Sequence, residues 1–169
     1  MSAAAFVDRY PWPWLIVPEP SAGILQRIRR PETVIASAQT QAIEFVDQAH
    51  LRGASLDALC LEARPLRGDE RIVVGRSAES DVVLLHESVS RQHAVIVHER
   101  RWTLKDQGAK NGTRVGARTL EPHETCSVED GDALLLGAVP CRFYTSEGFL
   151  AWLEAGAPRS GAAPGAWPE

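Results

Sequence analysis

Ile72 to Thr113 reads IVVGRSAESDVVLLHESVSRQHAVIVHERRWTLKDQGAKNGT, and the rhythm of this stretch decides what fold to expect. Short runs rich in valine, isoleucine and leucine, at Arg71 to Val74, Asp81 to Leu85, Ala94 to His98 and Arg101 to Lys105, alternate with clusters of Gly, Ser, Asp and Asn. β-branched side chains suit a pleated, half-buried surface, and small polar residues suit reversals. Each run therefore predicts a strand and each cluster a turn.

The same pattern continues outward. Ala58 to Ala63 comes before it, and Thr113 to Val115, Thr125 to Val128, Ala133 to Leu136 and Arg142 to Thr145 come after. Turns are marked by Gly116-Ala117, where a leading glycine suits a type II′ hairpin, by Asp130-Gly131-Asp132 and by Gly137. Many strands at close, even spacing predict a mostly β protein, an antiparallel β-sandwich. No self-similarity at repeat-protein periods is present.

The flanks read differently. From Met1 to Pro20, Pro11, Pro13, Pro18 and Pro20 remove amide donors, and the segment with Tyr10, Trp12 and Trp14 predicts an irregular path across a surface. Two short helices are expected next. One is capped by Ser21 and runs through Arg30; the other starts at Pro31, with Ile35, Ala38, Ala42, Phe45, Val46 and Ala49 at helical spacing, and stops at Gly53. Ser146 and Glu147 open a last helix carrying Phe149, Leu150, Trp152 and Leu153, with Gly156 to end it. The expected organisation is an N-terminal extension over 1–55, a sandwich domain over 56–146, a C-terminal helix over 147–156 and a disordered tail over 157–169.

At 169 residues with 44% hydrophobic and 24% charged residues, the chain can bury one real core. A net charge of −4 argues against general nucleic-acid binding and leaves any anion site to be built locally from a few cations. Cys60, Cys126 and Cys141 are odd in number and widely spaced, so they read as reduced thiols. The apolar run Trp12 to Val17 is broken by Pro13, which supports neither a signal peptide nor a membrane span, and a cytoplasmic location is the expectation. His86, His93 and His98 lack cysteine or carboxylate partners at metal spacing, so neither a metal nor a cofactor is expected. Asn111-Gly112-Thr113 matches a glycosylation sequon only as a by-product of a turn. No nucleotide loop, zinc-protease helix or nucleophile elbow occurs, and the chain is read as a non-enzyme.

The chemistry gathers in an ordered set: Gly75-Arg76-Ser77, Asp81, Ser90-Arg91-Gln92-His93, Asp106 to Thr113 with Asn111-Gly112-Thr113, and Asp130-Gly131-Asp132. This set resembles the forkhead-associated (FHA) domain, over about 90 residues from Leu56 to Ser146. The resemblance implies an FHA-type sandwich that binds phosphothreonine on a partner protein. A phosphothreonine brings about −1.5 to −2 charge and three acceptor oxygens, which call for a guanidinium fork plus hydroxyl and amide donors on loops. By this resemblance Arg76 supplies the fork and Ser90 is the second phosphate ligand. The Ser90 amide is expected to point at the phosphate with that of Arg91, whose side chain adds positive field. Lys110 makes another phosphate or peptide contact, and Asn111 holds the peptide backbone. His93 supports the loops from beneath, with Gly75, Gly112 and Thr113 meeting the local demands of the backbone.

Ala109 stands where the family usually has serine, removing one hydroxyl near the pocket. Asp106 and Asp132 read as turn-ordering residues, not metal ligands. The implied role is an adaptor in serine/threonine kinase signalling, without nucleic acid or membrane. Two alternatives keep the fold: a switch in which phosphorylated Thr33 or Thr40 fills the pocket of its own chain, and a structural subunit with a vestigial pocket.

Overall fold

The computed structural model describes residues 3–18, 35–36, 58–66, 68 and 70–155. Among these residues twelve strands and two helices follow one another: α1 (Ala3–Arg9), β1 (Trp14–Pro18), β2 (Ile35–Ala36), β3 (Ala58–Glu62), β4 (Arg71–Gly75), β5 (Val82–Val83) and β6 (Ala94–His98), then β7 (Trp102–Asp106), β8 (Thr113–Val115), β9 (Arg118–Thr119), β10 (Thr125–Ser127), β11 (Ala133–Leu136), β12 (Val139–Tyr144) and α2 (Ser146–Glu154). Two sheets stack, one in the order β2-β3-β1-β12-β11-β8-β9 and the other in the order β10-β7-β6-β4-β5.

Alternation along the strands puts the core between the sheets. Leu15 and Val17 from β1, Leu134 and Leu136 from β11, and Cys141 and Phe143 from β12 meet Ile72, Val74, Ala94, Ile96 and Leu104 from the opposite sheet, all buried. Each buried valine, leucine, isoleucine or phenylalanine among them contributes about 1.5 to 3 kcal/mol by leaving water. Gly116 opens the two-residue turn between Val115 and Arg118 with φ of +56°, as a type II′ hairpin requires.

Several elements differ from the sequence reading. The N-terminal segment does not run irregularly over a surface: Ala3–Arg9 is helical, and Trp14–Pro18 is an interior strand hydrogen-bonded to β3 on one side and β12 on the other. The sheet therefore includes residues well before 56. Pro13 and Pro18 sit at the two ends of the strand, where their missing amides cost little. Ile35 and Ala36, placed by spacing in the second helix, instead pair with Leu61 and Cys60 as a short edge strand. Sheet pairing overrides helical spacing there. The helix expected from Ser21, the remainder of the second and the tail over 157–169 lie outside the described residues. The strand expected over Asp81 to Leu85 shrinks to Val82–Val83 and runs parallel to β4, so one pairing in the sandwich is not antiparallel.

The last helix spans Ser146–Glu154, and its cap is Thr145, not Ser146. The Thr145 hydroxyl accepts from the Gly148 amide at 3.0 Å and donates to the Asp130 carboxylate at 3.1 Å. Helices α1 and α2 form an aromatic layer on the outer face of the larger sheet. The Trp14 ring stacks on Phe149 at 4.2 Å, and Phe6 and Tyr10 close around them. Burial pushes the thiols of Cys60 and Cys141 up to about 12, which holds them protonated and unreactive.

Glu62 lies opposite Trp14 in the register and is only 5% exposed, and its Oε1 has no hydrogen-bond partner. Burial raises its carboxyl from 4.5 to about 6, against the opposing pull of Arg64. Between those values the native chain binds more protons than the unfolded one, so stability falls as pH rises through the window and stays lower above it. Glu62→Gln is expected to raise stability at neutral pH by about 1 kcal/mol and to change nothing at about pH 4. Denaturant midpoints at both pH values check this, and equal midpoints at neutral pH contradict it.

Candidate functional site

The loops that carry the motif residues converge at one end of the sandwich. Gly75 closes β4, and its carbonyl accepts from the Leu84 amide at 2.9 Å. A Cβ on Gly75 would stand 2.2 Å from the Arg91 carbonyl oxygen and 3.0 Å from Ser80 Oγ, so only glycine permits this approach. The Arg91 carbonyl accepts from the Ser77 amide at 3.1 Å and from Ser80 Oγ at 3.2 Å. The Arg76 amide donates to the Ser90 carbonyl at 2.9 Å, which fixes the β4–β5 loop on the β5–β6 loop. Asp81, for which the sequence reading had no role, is buried and accepts from the amides of Leu66 and Val73.

His93 sits beneath, fully buried. Its Nδ1 accepts from the Ser90 amide at 3.0 Å. An amide only donates, so the ring carries its proton on Nε2 and gives it to the Gly112 carbonyl, also at 3.0 Å. One imidazole thus ties the β5–β6 loop to the β7–β8 loop. This corrects one expectation: the Ser90 amide does not face outward but is committed to His93.

Asp106 organises the β7–β8 loop. It is buried, accepts from the Gly108 and Ala109 amides at 2.7 and 3.1 Å, and accepts from the Thr113 hydroxyl at 2.6 Å. The loop is thereby ordered without a hydroxyl at Ala109. Gly112, at φ +71°, takes a backbone conformation that side chains disfavour. The loop then delivers the Lys110 amide to Ser90 Oγ at 3.0 Å and the Asn111 side-chain amide to the Ser88 carbonyl at 2.8 Å.

Arg76, Ser90, Arg91, Lys110 and Asn111 therefore stand on adjoining, cross-bonded loops. Arg76, Arg91, Lys110 and Asn111 are exposed, and Ser90 is half-buried. Arg76 uses its Nε to hold the Val89 carbonyl at 3.1 Å, so the terminal amino groups remain for a planar two-point contact with an anion. The Ser90 hydroxyl accepts from Lys110 and keeps its own hydrogen to donate. Asn111 spends one donor on Ser88 and keeps a carbonyl oxygen and a second donor. The sequence reading missed Ser88 and marked Gly137 as a turn only. Ser88 Oγ accepts from the Ala138 amide at 2.8 Å, and a Cβ on Gly137 would lie 2.4 Å from the Ser88 carbonyl. His86 bonds Ser88, and the His98 ring lies 4.6 Å from that of Trp102. Among the described residues no three metal-ligating side chains gather.

Burial lowers the His93 pKa, outweighing the Gly112 carbonyl and Asp106, which act in the opposite sense. The unfolded chain then takes up this proton before the native one, so the contribution to stability is full above about pH 6.5 and declines as pH falls below it. His93→Leu is expected to cost about 3 kcal/mol, because it strands the Ser90 amide and the Gly112 carbonyl, and to flatten this acid dependence. Denaturation at a series of pH values tests both parts; an unchanged acid limb contradicts the assignment.

Residues 72–137 match the family model of the FHA domain. Together with the two-sheet sandwich and its motif-bearing loops, this makes the segment an FHA domain. Among known proteins, the FHA domain-containing protein PS1 of Arabidopsis thaliana is 35% identical over 72 residues, covering 41% of this chain and 5% of that protein. Mediator of DNA damage checkpoint protein 1 of Rattus norvegicus is 35% identical over 77 residues, covering 43% of this chain and 6% of that protein. The chain thus spans about a twentieth of the length of these relatives. Among solved structures, Mycobacterium tuberculosis EmbR in complex with a low-affinity phosphopeptide aligns at 25% identity with a TM-score of 0.44, over 54% of this chain and 22% of that one. Among the described residues no helix is long and apolar enough to cross a membrane.

Proposed function

We propose that the chain docks a threonine-phosphorylated partner protein through Arg76, Ser90, Arg91, Lys110 and Asn111, as a cytoplasmic adaptor downstream of a serine/threonine kinase. FHA domains belong to the modules that recognise phosphorylated motifs through arginines. The observation that carries the reading is the Lys110 amide on Ser90 Oγ. That bond occupies an acceptor position of the hydroxyl and leaves its hydrogen for a phosphate oxygen, next to the Arg76 backbone held on the Ser90 carbonyl. Lys110 and Arg91 add positive charge, and Asn111 offers a donor and an acceptor to an extended peptide backbone. The chain works by binding and has no use for a metal or cofactor. A degenerate peptide library in phosphothreonine, phosphoserine and unphosphorylated forms tests this: selective retention of phosphothreonine peptides supports it, and equal retention of all three defeats it.

The direction of β2 favours a second reading, a self-bound form. Ile35 pairs with Leu61 and Ala36 with Cys60, so β2 points, from Ile35 to Ala36, toward the end of the sheet where Pro18 pairs with Ala58 and β12 begins beside the Ala138 turn. Thr40 follows Ala36 by four residues in sequence, a stretch that spans at most roughly 13 Å when extended, whereas Thr33 precedes the strand in sequence. Both threonines lie outside the described residues. Phosphorylation at Thr40 that abolishes peptide binding, with no effect of phosphorylation at Thr33, supports the self-bound form.

A further inference from the structure

The interlocked contacts around Ser88 belong to no motif, yet they join three of the loops at the binding end. The Ser88 carbonyl accepts from the Asn111 side-chain amide at 2.8 Å, across 23 residues of sequence. Its hydroxyl accepts from the Ala138 amide at 2.8 Å, across 50 residues, and the Gly137 amide donates to the Gly112 carbonyl at 3.1 Å. Gly137 lies so close that a Cβ there would meet the Ser88 carbonyl at 2.4 Å and its hydroxyl at 2.8 Å. His86, two residues before it, also holds Ser88. The Ser88 amide donates to His86 Nδ1 at 3.2 Å, and the Ser88 hydroxyl lies 2.7 Å from the same nitrogen. Because an amide cannot accept, Nδ1 is the unprotonated nitrogen, and the hydroxyl donates to it while accepting from Ala138.

We propose that His86 and Ser88 are positioning residues for Asn111, so that grip on the peptide backbone depends on the unprotonated state of His86 Nδ1. The inference rests on the phosphopeptide reading of the site. A proton on Nδ1 removes both of its acceptor contacts at once, frees Ser88 to turn, and withdraws the carbonyl that orients the Asn111 amide. The charged or titratable residues on the elements that meet here are Glu87, Arg91 and His93 on the same loop, Arg76, Glu79 and Asp81 on the β4–β5 loop and Lys110 on the β7–β8 loop; the turn at Gly137 and Ala138 brings none. Acid therefore weakens peptide binding through His86, in addition to protonating the phosphate itself, whose second pKa is about 6 in the free peptide.

Heteronuclear NMR of the free chain, titrated from about pH 7.5 to about pH 5.5, tests the link without any peptide. The Asn111 side-chain amide and the Ala138 amide are expected to follow the His86 imidazole titration in the wild type and to lose that inflection in His86→Asn. This variant keeps an acceptor near the Nδ1 position but does not titrate. Affinity for a phosphothreonine peptide supplies the second reading. His86→Ala is expected to lose about fivefold and His86→Asn to stay within about twofold at the upper pH. The ratio of wild-type to His86→Asn affinity is expected to fall toward the lower pH, a comparison in which the phosphate's own titration cancels. Asn111 and Ala138 signals that ignore the imidazole, in a wild type that binds peptide, overturn the positioning role alone. A wild type that binds no phosphothreonine peptide overturns the function proposed above, and this inference with it.

Discussion

Arg76→Ala is expected to weaken binding of a phosphothreonine peptide by at least about 30-fold, corresponding to about 2 to 5 kcal/mol, while leaving thermal stability nearly unchanged. The two effects separate because of where Arg76 stands. Its side chain is exposed and gives the folded chain one bond, from Nε to the Val89 carbonyl. Its value to a ligand lies in the terminal amino groups, whose planar spacing matches two oxygens of one phosphate. Removing it leaves a doubly charged group with Arg91 and Lys110, the other cations that the described loops bring to this end, to compensate. Arg76→Lys keeps the charge but loses the fork, and is expected to fall between the wild type and alanine. Isothermal calorimetry of the three proteins with one peptide checks the order, and equal affinities of wild type and Arg76→Ala would remove Arg76 from the site.

Gly75→Ala is expected to destabilise the fold by about 3 kcal/mol or more, a large share of the stability of a domain this size. The added carbon would sit 2.2 Å from the Arg91 carbonyl oxygen and 2.8 Å from its carbon. These are backbone atoms that two other bonds hold in place, from the Ser77 amide and the Ser80 hydroxyl, so the clash cannot be relieved by turning a side chain. Relief requires β4 and the β5–β6 loop to separate, which also pulls the Ser90 carbonyl from the Arg76 amide. Stability and binding are expected to fall together, unlike in Arg76→Ala. A thermal midpoint equal to that of the wild type contradicts the close approach.

How much of this was legible in sequence depended on the range of each interaction. The strands from Arg71 onward, apart from the two-residue Arg118–Thr119, were legible because alternation and turn residues are local signals, and Asp106 was readable as a turn residue because its partners, Gly108, Ala109 and Thr113, lie within seven positions. Trp14–Pro18 was not legible as a strand. Both of its faces are buried, Leu15 and Val17 in the core and Trp14 and Ile16 on the outer face, so it shows no polar alternation, and its bounding prolines mimic irregular chain. Val82–Val83 gave no sign of its parallel pairing, since direction is set by the loop carrying Asp81. Ser88 was invisible for a third reason: its partners Asn111 and Ala138 are 23 and 50 residues away, and only the folded sandwich brings them to it. The outward-facing Ser90 amide was an error of the same kind, because the competing acceptor, His93 Nδ1, is a side chain whose orientation depends on Gly112 beyond β7.

The most direct measurement is a heteronuclear NMR titration of the chain with a phosphothreonine peptide selected from the library and with its dephosphorylated twin. The proposed function predicts that resonances of Arg76, Ser90, Arg91, Lys110 and Asn111 move with the phosphorylated peptide and stay still with the twin. Shifts that appear equally with both peptides, or that cluster away from these loops, contradict it.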